Sequence, residues 1–437
     1  MTSTGTASQT TCKKTVIPRA EHCVSRRHIS ENALKVLYRL RDAGYETYLV
    51  GGVVRDLLLG LEPKDFDVAT DASPDEVKAL FRNCRLIGRR FRLAHILFGR
   101  EVIEVATFRA SHRDSDDGRV DDDGRILRDN VFGNVEEDAL RRDFTVNALY
   151  YDIRDFSIVD FVGAMADIQA RRLRLIGDPQ TRYTEDPVRM LRAARFAAKL
   201  GFELDSASAA PIHQLGPLLR DIPPARLFEE VLKLLQTGHG AQSLEQLWHF
   251  DLLRYLFPAA DRRIRAEDSY AARLIMRALD NTDERIAAGK SVTPSFLFAA
   301  FLWPDVHERA AALEADGEPP IPAIQQAADE VVDEQLKYTS LPRRFSLPMR
   351  EIWTLQPRLQ QYTGQRALRT LSHPRFRAGY DFLCLRAEAG EPLTDCARWW
   401  TEIQEKDEDT QITMARKAGS SSRRRRGPRR RRAASGD

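Results

Sequence analysis

The chain has 437 residues, of which 43% are hydrophobic and 30% charged, a composition typical of a soluble globular protein with two or three domains. No apolar run approaches the roughly 18 to 20 residues that a membrane-spanning helix needs, and the N-terminus lacks the apolar segment of a secretion signal. Five cysteines are scattered without a CxxC pair, which favours reduced thiols and argues against a zinc site. We therefore expect a cytoplasmic protein with no membrane partner.

Charge is distributed unevenly along the chain. The formal net charge is +3, but segment 420–437 contains eight arginines, and without them the balance falls to −5. Such a block cannot bury itself, so we predict a disordered, arginine-rich tail over 409–437. Arginine runs release counterions from phosphates whatever the base sequence. The tail is therefore either an arm for nucleic acid or a solvated terminus without a partner.

Hydrophobic periodicity and turn signals predict an α/β segment in the first part of the chain. We expect these elements in chain order: a mobile arm over 1–28, a helix over 29–44 capped by Ser30, a strand over 47–52, a short helix over 53–60, a strand over 64–70, a helix over 73–84, two strands over 92–109, an exposed loop over 111–125, a helix over 136–152, and a pair of strands over 156–163 and 171–177.

The strand signals stop after about residue 180, and the remainder of the chain is predicted to be helical. Helices are expected over 184–202 and 224–240, and helical segments continue to about residue 400. A polar stretch with prolines near 304–322 is expected to interrupt them. The sequence thus predicts an α/β head with a mixed sheet, an all-α remainder and a basic tail.

Two aspartates, Asp65 and Asp67, stand at i and i+2 in a segment that otherwise has a strand pattern. Alternate residues of a strand share a face, so two like charges would lie close together and repel unless a cation lies between them. The preceding Gly51–Gly52 turn lets the backbone approach a phosphate chain. Mg²⁺ commonly binds one or two carboxylates together with substrate phosphates. Local spacing alone leaves a solvated turn or a helix cap as alternatives.

Four motifs together resemble the class II nucleotidyltransferases of the polymerase-β superfamily, a family that contains bacterial poly(A) polymerases and CCA-adding enzymes. They are LVGGVVRDLLLG (49–60), KDFDVAT (64–70), RRDFTVNALYY (141–151) and EDPVRMLRAARFAAKLGF (185–202), in that order. The resemblance covers roughly residues 17–260. It implies a nucleotidyltransferase head, ATP or another nucleotide as substrate, and release of pyrophosphate by a two-metal mechanism.

The resemblance implies roles for individual carboxylates. Asp65 and Asp67 match the metal-binding pair, with Mg²⁺, or Mn²⁺ as an alternative, between them. Asp143 matches the third catalytic carboxylate, which would help to place the attacking 3′-hydroxyl. Glu104 lies on a predicted strand near this site and is a second candidate for that third acid.

The resemblance also implies a set of nucleotide-binding residues. The triphosphate-binding turn matches Gly51, Gly52 and Arg55, and Arg142 would add positive charge near the incoming nucleotide. The pair that reads the edge of the base matches Asp186 and Arg189. Arg192 and Arg195 follow on roughly the same helix face. For these arginines a solvated stripe of charge is the competing interpretation.

Residues 86–96, LIGRRFRLAHI, resemble the segment that marks the poly(A) polymerases within the family, and the basic tail suits an enzyme that holds RNA of any sequence. We therefore expect addition of AMP from ATP to RNA 3′ ends without a template. A CCA-adding enzyme is the alternative, and a non-catalytic RNA-binding protein is a second one. Proteins of RNA decay are a candidate class of partner.

The resemblance also sets the predicted domain boundaries. They are an N-terminal arm over 1–28, a catalytic head over 29–178, a helical neck that binds nucleotide and RNA over 179–245, a helical RNA-binding body over 246–408, and the disordered tail over 409–437.

Overall fold

A computed structural model describes residues 14–88, 92–110, 132–265 and 269–425, with side chains up to residue 418. The chain forms two compact units, one ending at Leu218 and the other beginning at Leu219. The division falls inside the segment predicted as the neck. The predicted loop at 111–125 and the last arginines of the tail lie outside the described residues, as do Arg89 and Arg90.

The first unit is built on an eight-stranded mixed sheet. Its strands are β1 (Thr15–Ile17), β2 (Thr47–Val50), β3 (Asp67–Thr70), β4 (Cys84–Ile87), β5 (Leu93–Phe98), β6 (Glu101–Thr107), β7 (Leu149–Asp152) and β8 (Ile158–Asp160), in the order β1-β8-β7-β2-β3-β6-β5-β4. Only β3 and β6 pair in parallel, and the other neighbours are antiparallel. The predicted α/β head with a mixed sheet is confirmed.

Nine helices accompany this sheet in the described part of the first unit. They are α1 (Glu31–Asp42), α2 (Gly52–Leu58), α3 (Pro74–Leu80), α4 (Val135–Arg141), α5 (Ala164–Gln169), α6 (Pro179–Glu185), α7 (Val188–Leu200), α8 (Ser206–Ala209) and α9 (Ile212–Leu215). Ser30 caps α1 as predicted, because its hydroxyl accepts from the backbone N–H groups of Asn32 and Ala33. Ser73 and Glu76 form a capping box at the start of α3.

Three predictions for the first unit are wrong in detail. The helix expected over 136–152 ends at Arg141, and the apolar run behind it forms β7, which is buried between β2 and β8. A strand buried on both faces has a continuous apolar pattern, which periodicity cannot separate from a helix. The mobile arm contains Thr15–Ile17, which pairs with β8 at the sheet edge.

The strands expected to pair over 156–163 and 171–177 do not pair with each other. β8 pairs with β7 and β1, whereas β9 (Arg172–Leu173) pairs in parallel with β10 (Glu203–Leu204). The choice of partner depends on contacts between segments distant in sequence, which local patterns do not encode.

The second unit is helical throughout its described residues, as predicted. Its helices are α10 (Pro224–Leu235), α11 (Gly240–His249), α12 (Leu253–Leu256), α13 (Pro258–Ile264), α14 (Tyr270–Ala287), α15 (Pro294–Ala315), α16 (Pro320–Gln335), α17 (Arg343–Gln360), α18 (Gly364–Leu371), α19 (Phe376–Glu388), α20 (Thr394–Gln404) and α21 (Glu408–Arg425). The break expected near 304–322 is smaller than predicted, since α15 continues through Pro304. The neighbouring Trp303 and Asp305 are buried, so packing offsets the roughly 3 kcal/mol cost of an internal proline.

The predicted disorder from residue 409 is also wrong for the first part of the tail, where α21 forms. Asp407 accepts from the Thr410 backbone N–H at 2.9 Å, and Ala415 is 1% exposed in a core cluster that includes Trp400. Burial of this apolar side stabilises a helix that the arginine-rich composition did not predict. Trp400 is a core residue.

Within the described ranges, no helix is both long and apolar enough to cross a membrane.

Candidate active site

A glycine turn joins β2 to α2 at one end of the central strands. Gly51 has a φ of +76°, which L side chains rarely adopt, and a Cβ built there would lie 3.1 Å from Nη1 of Arg142. The first N–H groups of a helix have no partner within it, so those of α2 are available to a ligand at the turn. The structure thus brings two predicted nucleotide-binding elements, Gly51 and Arg142, next to each other.

The predicted metal-binding aspartates lie where β3 begins, on the strand beside β2. β3 starts at Asp67, so Asp65 precedes the strand rather than sharing its face as the i, i+2 argument required. Both side chains are exposed to solvent. The surrounding protein and the nearby charge of Glu104 raise the pKa of Asp67 to about 6, while Arg142 opposes the shift and Asp65 adds to it.

Glu104 is brought to Asp67 by the parallel pairing of β3 with β6, in which the two residues are direct register partners. On its other side Glu104 pairs with His95 of β5, whose Nε2 lies 3.2 Å from Oε1 of Glu104. His95 is half-buried. Glu104, one of the two candidates for the third acid, is therefore placed beside Asp67.

The arrangement of these carboxylates suits a hard divalent cation. Desolvation by the surrounding protein, followed by the charge of Glu104, raises the pKa of Asp67, and a bound cation would oppose both effects. Among the described residues, no group of three or more His, Cys, Asp or Glu side chains is placed so that it could hold a metal ion by itself.

Arg142 is held in place by a buried acid and a buried phenol. Its Nη2 lies 3.0 Å from Oδ2 of Asp138, and its Nε donates to the Tyr150 hydroxyl at 2.8 Å. Burial alone would raise the pKa of Asp138, but the Arg142 charge and the Tyr150 hydroxyl hold it below its ordinary value. The guanidinium is thereby oriented, since its Nη1 also donates to the Asn147 carbonyl at 3.4 Å.

Asp143, the other candidate for the third acid, has a different environment. Its Oδ2 accepts from Nε of Arg192 at 2.7 Å, and its Oδ1 accepts from the Phe144 backbone N–H and from the Asn147 amide. Burial opposes ionisation, but the charge of Arg192 and these hydrogen bonds hold the pKa of Asp143 far below its usual range. Asp143 is thus a charged, fully hydrogen-bonded anchor for Arg192.

Arg55 does not present its charge to solvent as a phosphate-binding side chain would. It is 1% exposed, its Nη2 forms an ion pair with Asp56 at 2.5 Å, and its Nη1 donates to Oδ1 of Asn147. A Cβ built at Gly52 would lie 3.3 Å from Nη2 of Arg55. Arg55 therefore supports the glycine turn from beneath.

Three of the predicted arginines surround one aromatic ring. The guanidinium carbons of Arg55, Arg192 and Arg195 lie 5.4, 5.3 and 4.5 Å from the centroid of Phe196, which is 7% exposed. The negative face of such a ring attracts cations. Phe196 thus holds Arg192 and Arg195 close together, and a solvated stripe does not describe them.

The residues predicted to read the base lie where α6 passes into α7. The ion-pair partner of Arg189 is Glu185, at 3.3 Å, and Nη1 of Arg189 also donates to the Arg182 carbonyl. Asp186 ends α6, and its Oδ1 accepts from the Val188 backbone N–H. Arg182 shares Glu185 with Arg189, and burial together with the Arg189 charge lowers the pKa of Arg182 to about 10.

Sequence reasoning missed several residues that hold this site together. Asn147 is the main one, since it bonds to Asp143 and Arg55 through its side chain and to Arg142 through its carbonyl. Asp138 and Tyr150 hold Arg142. Asn147 lies within the motif at 141–151, so the sequence motif included this residue. Nothing in the motif indicated which residues it would contact.

Comparison with known proteins gives consistent matches along the chain. Residues 47–174 match the family model of the poly(A) polymerase head domain. Residues 201–264 match a family model described as a probable RNA and SrmB-binding site of polymerase A. Residues 316–433 match the family model of the polymerase A arginine-rich C-terminus. Poly(A) polymerase I of Salmonella typhimurium is 52% identical over 89% of this chain and 86% of its own length. That of Haemophilus influenzae is 50% identical over 90% and 88%.

The CCA-adding enzymes are more distant. That of Bacillus pumilus is 38% identical over 49% of this chain. The solved Bacillus stearothermophilus CCA-adding enzyme in complex with CTP is 28% identical, with a TM-score of 0.55 over 84% of this chain and 80% of its own. The Thermotoga maritima enzyme complexed with tRNA has a TM-score of 0.59 at 18% identity, covering 91% of this chain and 89% of its own, and shows the shared fold.

Proposed function

The chain belongs to the bacterial poly(A) polymerase family, which adds AMP from ATP to RNA 3′ ends without a template, and we propose how its residues divide that reaction. The central assignment is that Asp65, Asp67 and Glu104 form the carboxylate centre. The register pairing of Asp67 with Glu104, next to the Gly51 turn, is the observation that carries it.

These carboxylates would hold Mg²⁺, or Mn²⁺ in its place, which when bound supplies positive charge to the reacting phosphates and lowers the pKa of the attacking hydroxyl. Asp65 and Asp67 are exposed, so they can reach a bound ion and substrate oxygens. Glu104 would complete the ligand set or orient the 3′-hydroxyl of the RNA. Asp143 also positions Arg192, and its expected role in placing the 3′-hydroxyl stays a prediction.

The triphosphate of ATP would lie over the Gly51–Gly52 turn. A side chain at Gly51 would crowd Arg142, so glycine keeps this approach open to a phosphate chain. Arg142 would neutralise charge that develops on the leaving pyrophosphate, and Asp138 and Tyr150 keep its guanidinium in place. Arg55 supports the turn without touching the phosphates.

Selection of adenine would fall to Asp186 and Arg189, at the junction of α6 and α7. A base that leaves these groups without hydrogen bonds would bind weakly, because buried polar groups without partners cost free energy. Glu185 and Arg182 fix the direction of the Arg189 guanidinium. Arg192 and Arg195, grouped at Phe196, would add positive charge for the nucleotide.

The match of residues 201–264 to a probable RNA and SrmB-binding segment supports RNA 3′ ends as the acceptor, and proteins of RNA decay stay a candidate class of partner. We place the protein in the cytoplasm, where thiols are kept reduced, and its four described cysteines are free thiols.

The test supplies purified protein with Mg²⁺ and each nucleotide separately, on a generic RNA primer and on a tRNA without its last three nucleotides. We expect long ladders from ATP on the generic primer. Asp65→Ala, Asp67→Ala and Glu104→Gln should each remove incorporation, whereas Asp42→Ala, which removes an exposed carboxylate on α1, should not.

Substantial turnover by Asp67→Ala would overturn the carboxylate assignment. Growth by three nucleotides that is confined to the tRNA and requires CTP would overturn the choice of reaction.

A further inference from the structure

Arg182 of α6 connects two parts of the candidate site that are far apart in sequence. Its side chain is only 14% exposed, and both Nη groups of its guanidinium are engaged within the protein. Nη2 donates to the backbone carbonyls of Arg141 and Arg142, at 2.6 and 2.7 Å, and Nη1 donates to Oε2 of Glu185 at 3.0 Å. One side chain thus joins the end of α4 to the junction of α6 and α7.

The first connection holds the residue that would contact the phosphates. α4 ends at Arg141 with Arg142 as its C-cap, so the last carbonyls of this helix have no partner within it. A guanidinium at this end satisfies two of them and interacts favourably with the negative end of the helix dipole. Since Arg142 carries the charge proposed to neutralise the pyrophosphate, Arg182 fixes the backbone from which that side chain extends.

The second connection holds the group proposed to read the base. Oε2 of Glu185 accepts from Nη1 of Arg182 and also from Nη1 of Arg189, at 3.3 Å. The same Nη1 of Arg189 donates to the backbone carbonyl of Arg182 at 2.7 Å. Arg189 is therefore held by the backbone of Arg182 and by the carboxylate that Arg182 binds, so a displacement of Arg182 would displace the base-reading group.

The position of Arg182 is unfavourable in itself. Its Nε is buried and has no hydrogen-bond partner among the residues that the structure describes. Burial and the charge of Arg189 lower its pKa to about 10, so the group is a buried cation at neutral pH. The two connections made by the Nη groups must outweigh the free energy of burying this charge and this donor.

The distance between a phosphate-binding group and a base-reading group can distinguish a purine from a pyrimidine. The pairing edge of adenine lies farther from the ribose than that of cytosine, because a purine has an additional ring. When the triphosphate is held at Arg142, only a base of the right size brings its edge to Arg189. Guanine has the size of adenine and must be rejected through its different hydrogen-bond donors and acceptors.

We propose that Arg182 is a positioning residue that sets this distance and thereby favours ATP over CTP. The inference rests on the proposed function, in which Arg142 binds phosphate and Arg189 reads the base. Arg182 acts without touching the nucleotide, since its Nη groups donate to the end of α4 and to Glu185. Lysine is not an equivalent replacement, because a single ammonium on a flexible chain lacks the rigid fork that holds both partners.

The test compares Arg182→Lys and Arg182→Gln with the unmodified protein. The value of kcat/KM is measured for ATP, CTP and GTP on a generic RNA primer, and the melting temperature is recorded for each variant. Arg154→Gln is the matched control. Arg154 is an arginine of the same unit that pairs with Asp152 at 2.7 Å, at the end of β7 away from Tyr150.

We expect both Arg182 variants to lower the ratio of kcat/KM for ATP to that for CTP by at least about tenfold, the effect of one lost hydrogen bond to a charged group. The corresponding ratio for ATP and GTP should change by less than about threefold. Arg154→Gln should lower the melting temperature and leave both ratios unchanged. If Arg182 only stabilised the fold, all three kcat/KM values would fall by the same factor, and that result would overturn the proposal. Equal falls of the two ratios would also overturn it, because base size would then play no part.

Glu185→Gln tests the same link from its other end and does not depend on an Arg182 variant that folds. This change should also lower the ratio for ATP and CTP. Combined with Arg182→Gln, it should lower the ratio by less than the product of the two single effects, because the two residues act through one contact. An unchanged ratio for Glu185→Gln, or single effects that multiply, would contradict the link.

Arg189→Ala separates this inference from the proposed function. If Arg189→Ala lowers the ratio for ATP and CTP and Arg182→Lys does not, the role of Arg182 is wrong and the base-reading assignment stands. If Arg189→Ala keeps the ratio of the unmodified protein, the base-reading assignment is wrong, and the inference about Arg182 fails with it.

Discussion

Asn147 connects three predicted site residues, and its removal should damage both stability and turnover. Its side chain is 7% exposed, donates to Oδ1 of Asp143 at 3.1 Å and accepts from Nη1 of Arg55. The substitution Asn147→Ala leaves a buried guanidinium and a buried carboxylate each short of one partner. Water has little access there, since Arg55 is 1% exposed.

Hydrogen bonds to charged groups contribute about 1.5 to 3 kcal/mol each, so the loss of two should cost roughly 3 to 5 kcal/mol. For a unit of about 200 residues each kcal/mol shifts the melting temperature by about 2 to 4 °C, which predicts a fall of at least about 6 °C. Asn83→Ala is a suitable control, because Asn83 is exposed and makes one hydrogen bond, to the Leu97 carbonyl at 2.8 Å. That change should cost less than about 1 kcal/mol.

The assay is differential scanning calorimetry, with tryptophan fluorescence as a second probe. All five tryptophans belong to the second unit, so a transition seen by calorimetry and absent from fluorescence belongs to the first unit. AMP addition is measured at a temperature at which the variant remains folded. We expect its turnover to fall by at least about tenfold. Equal shifts for Asn147→Ala and Asn83→Ala would refute the idea that Asn147 holds the site together.

Three further predictions follow from the same geometry. Mg²⁺ should stabilise the unmodified protein and so raise its melting temperature. At a hundredfold excess of Mg²⁺ over Kd the free energy of unfolding should increase by about 2.7 kcal/mol, and Asp67→Asn should remove most of that increase. Gly51→Ala should raise the KM for ATP severalfold and cost about 1 to 2 kcal/mol of stability. The φ of +76° at this position is unfavourable for alanine, and the added Cβ would meet Arg142. An unchanged KM would contradict the role of the turn in binding ATP. The depressed pKa of Asp138 contributes stability that is present above the unfolded pKa of about 3.9 and is lost as pH falls toward the folded pKa. The acid unfolding limb of Asp138→Asn should therefore be shallower than that of the unmodified protein. Identical limbs would contradict the pairing of Asp138 with Arg142.

Local sequence determined the parts of this protein that depend on neighbouring residues. The Gly51–Gly52 turn, the Ser30 cap and the aspartates at 65 and 67 follow from residue types at short spacings, and four motifs in order were sufficient to indicate the family. The helical character of the second unit was also predictable, because amphipathic periodicity is a local property.

Tertiary structure alone decided which of these residues meet. Glu104 lies beside Asp67, because β6 pairs in parallel with β3 and that register is a long-range choice. Arg55 faces the interior and Asn147 links it to Asp143, because burial makes each buried charge require a partner that the motif does not specify.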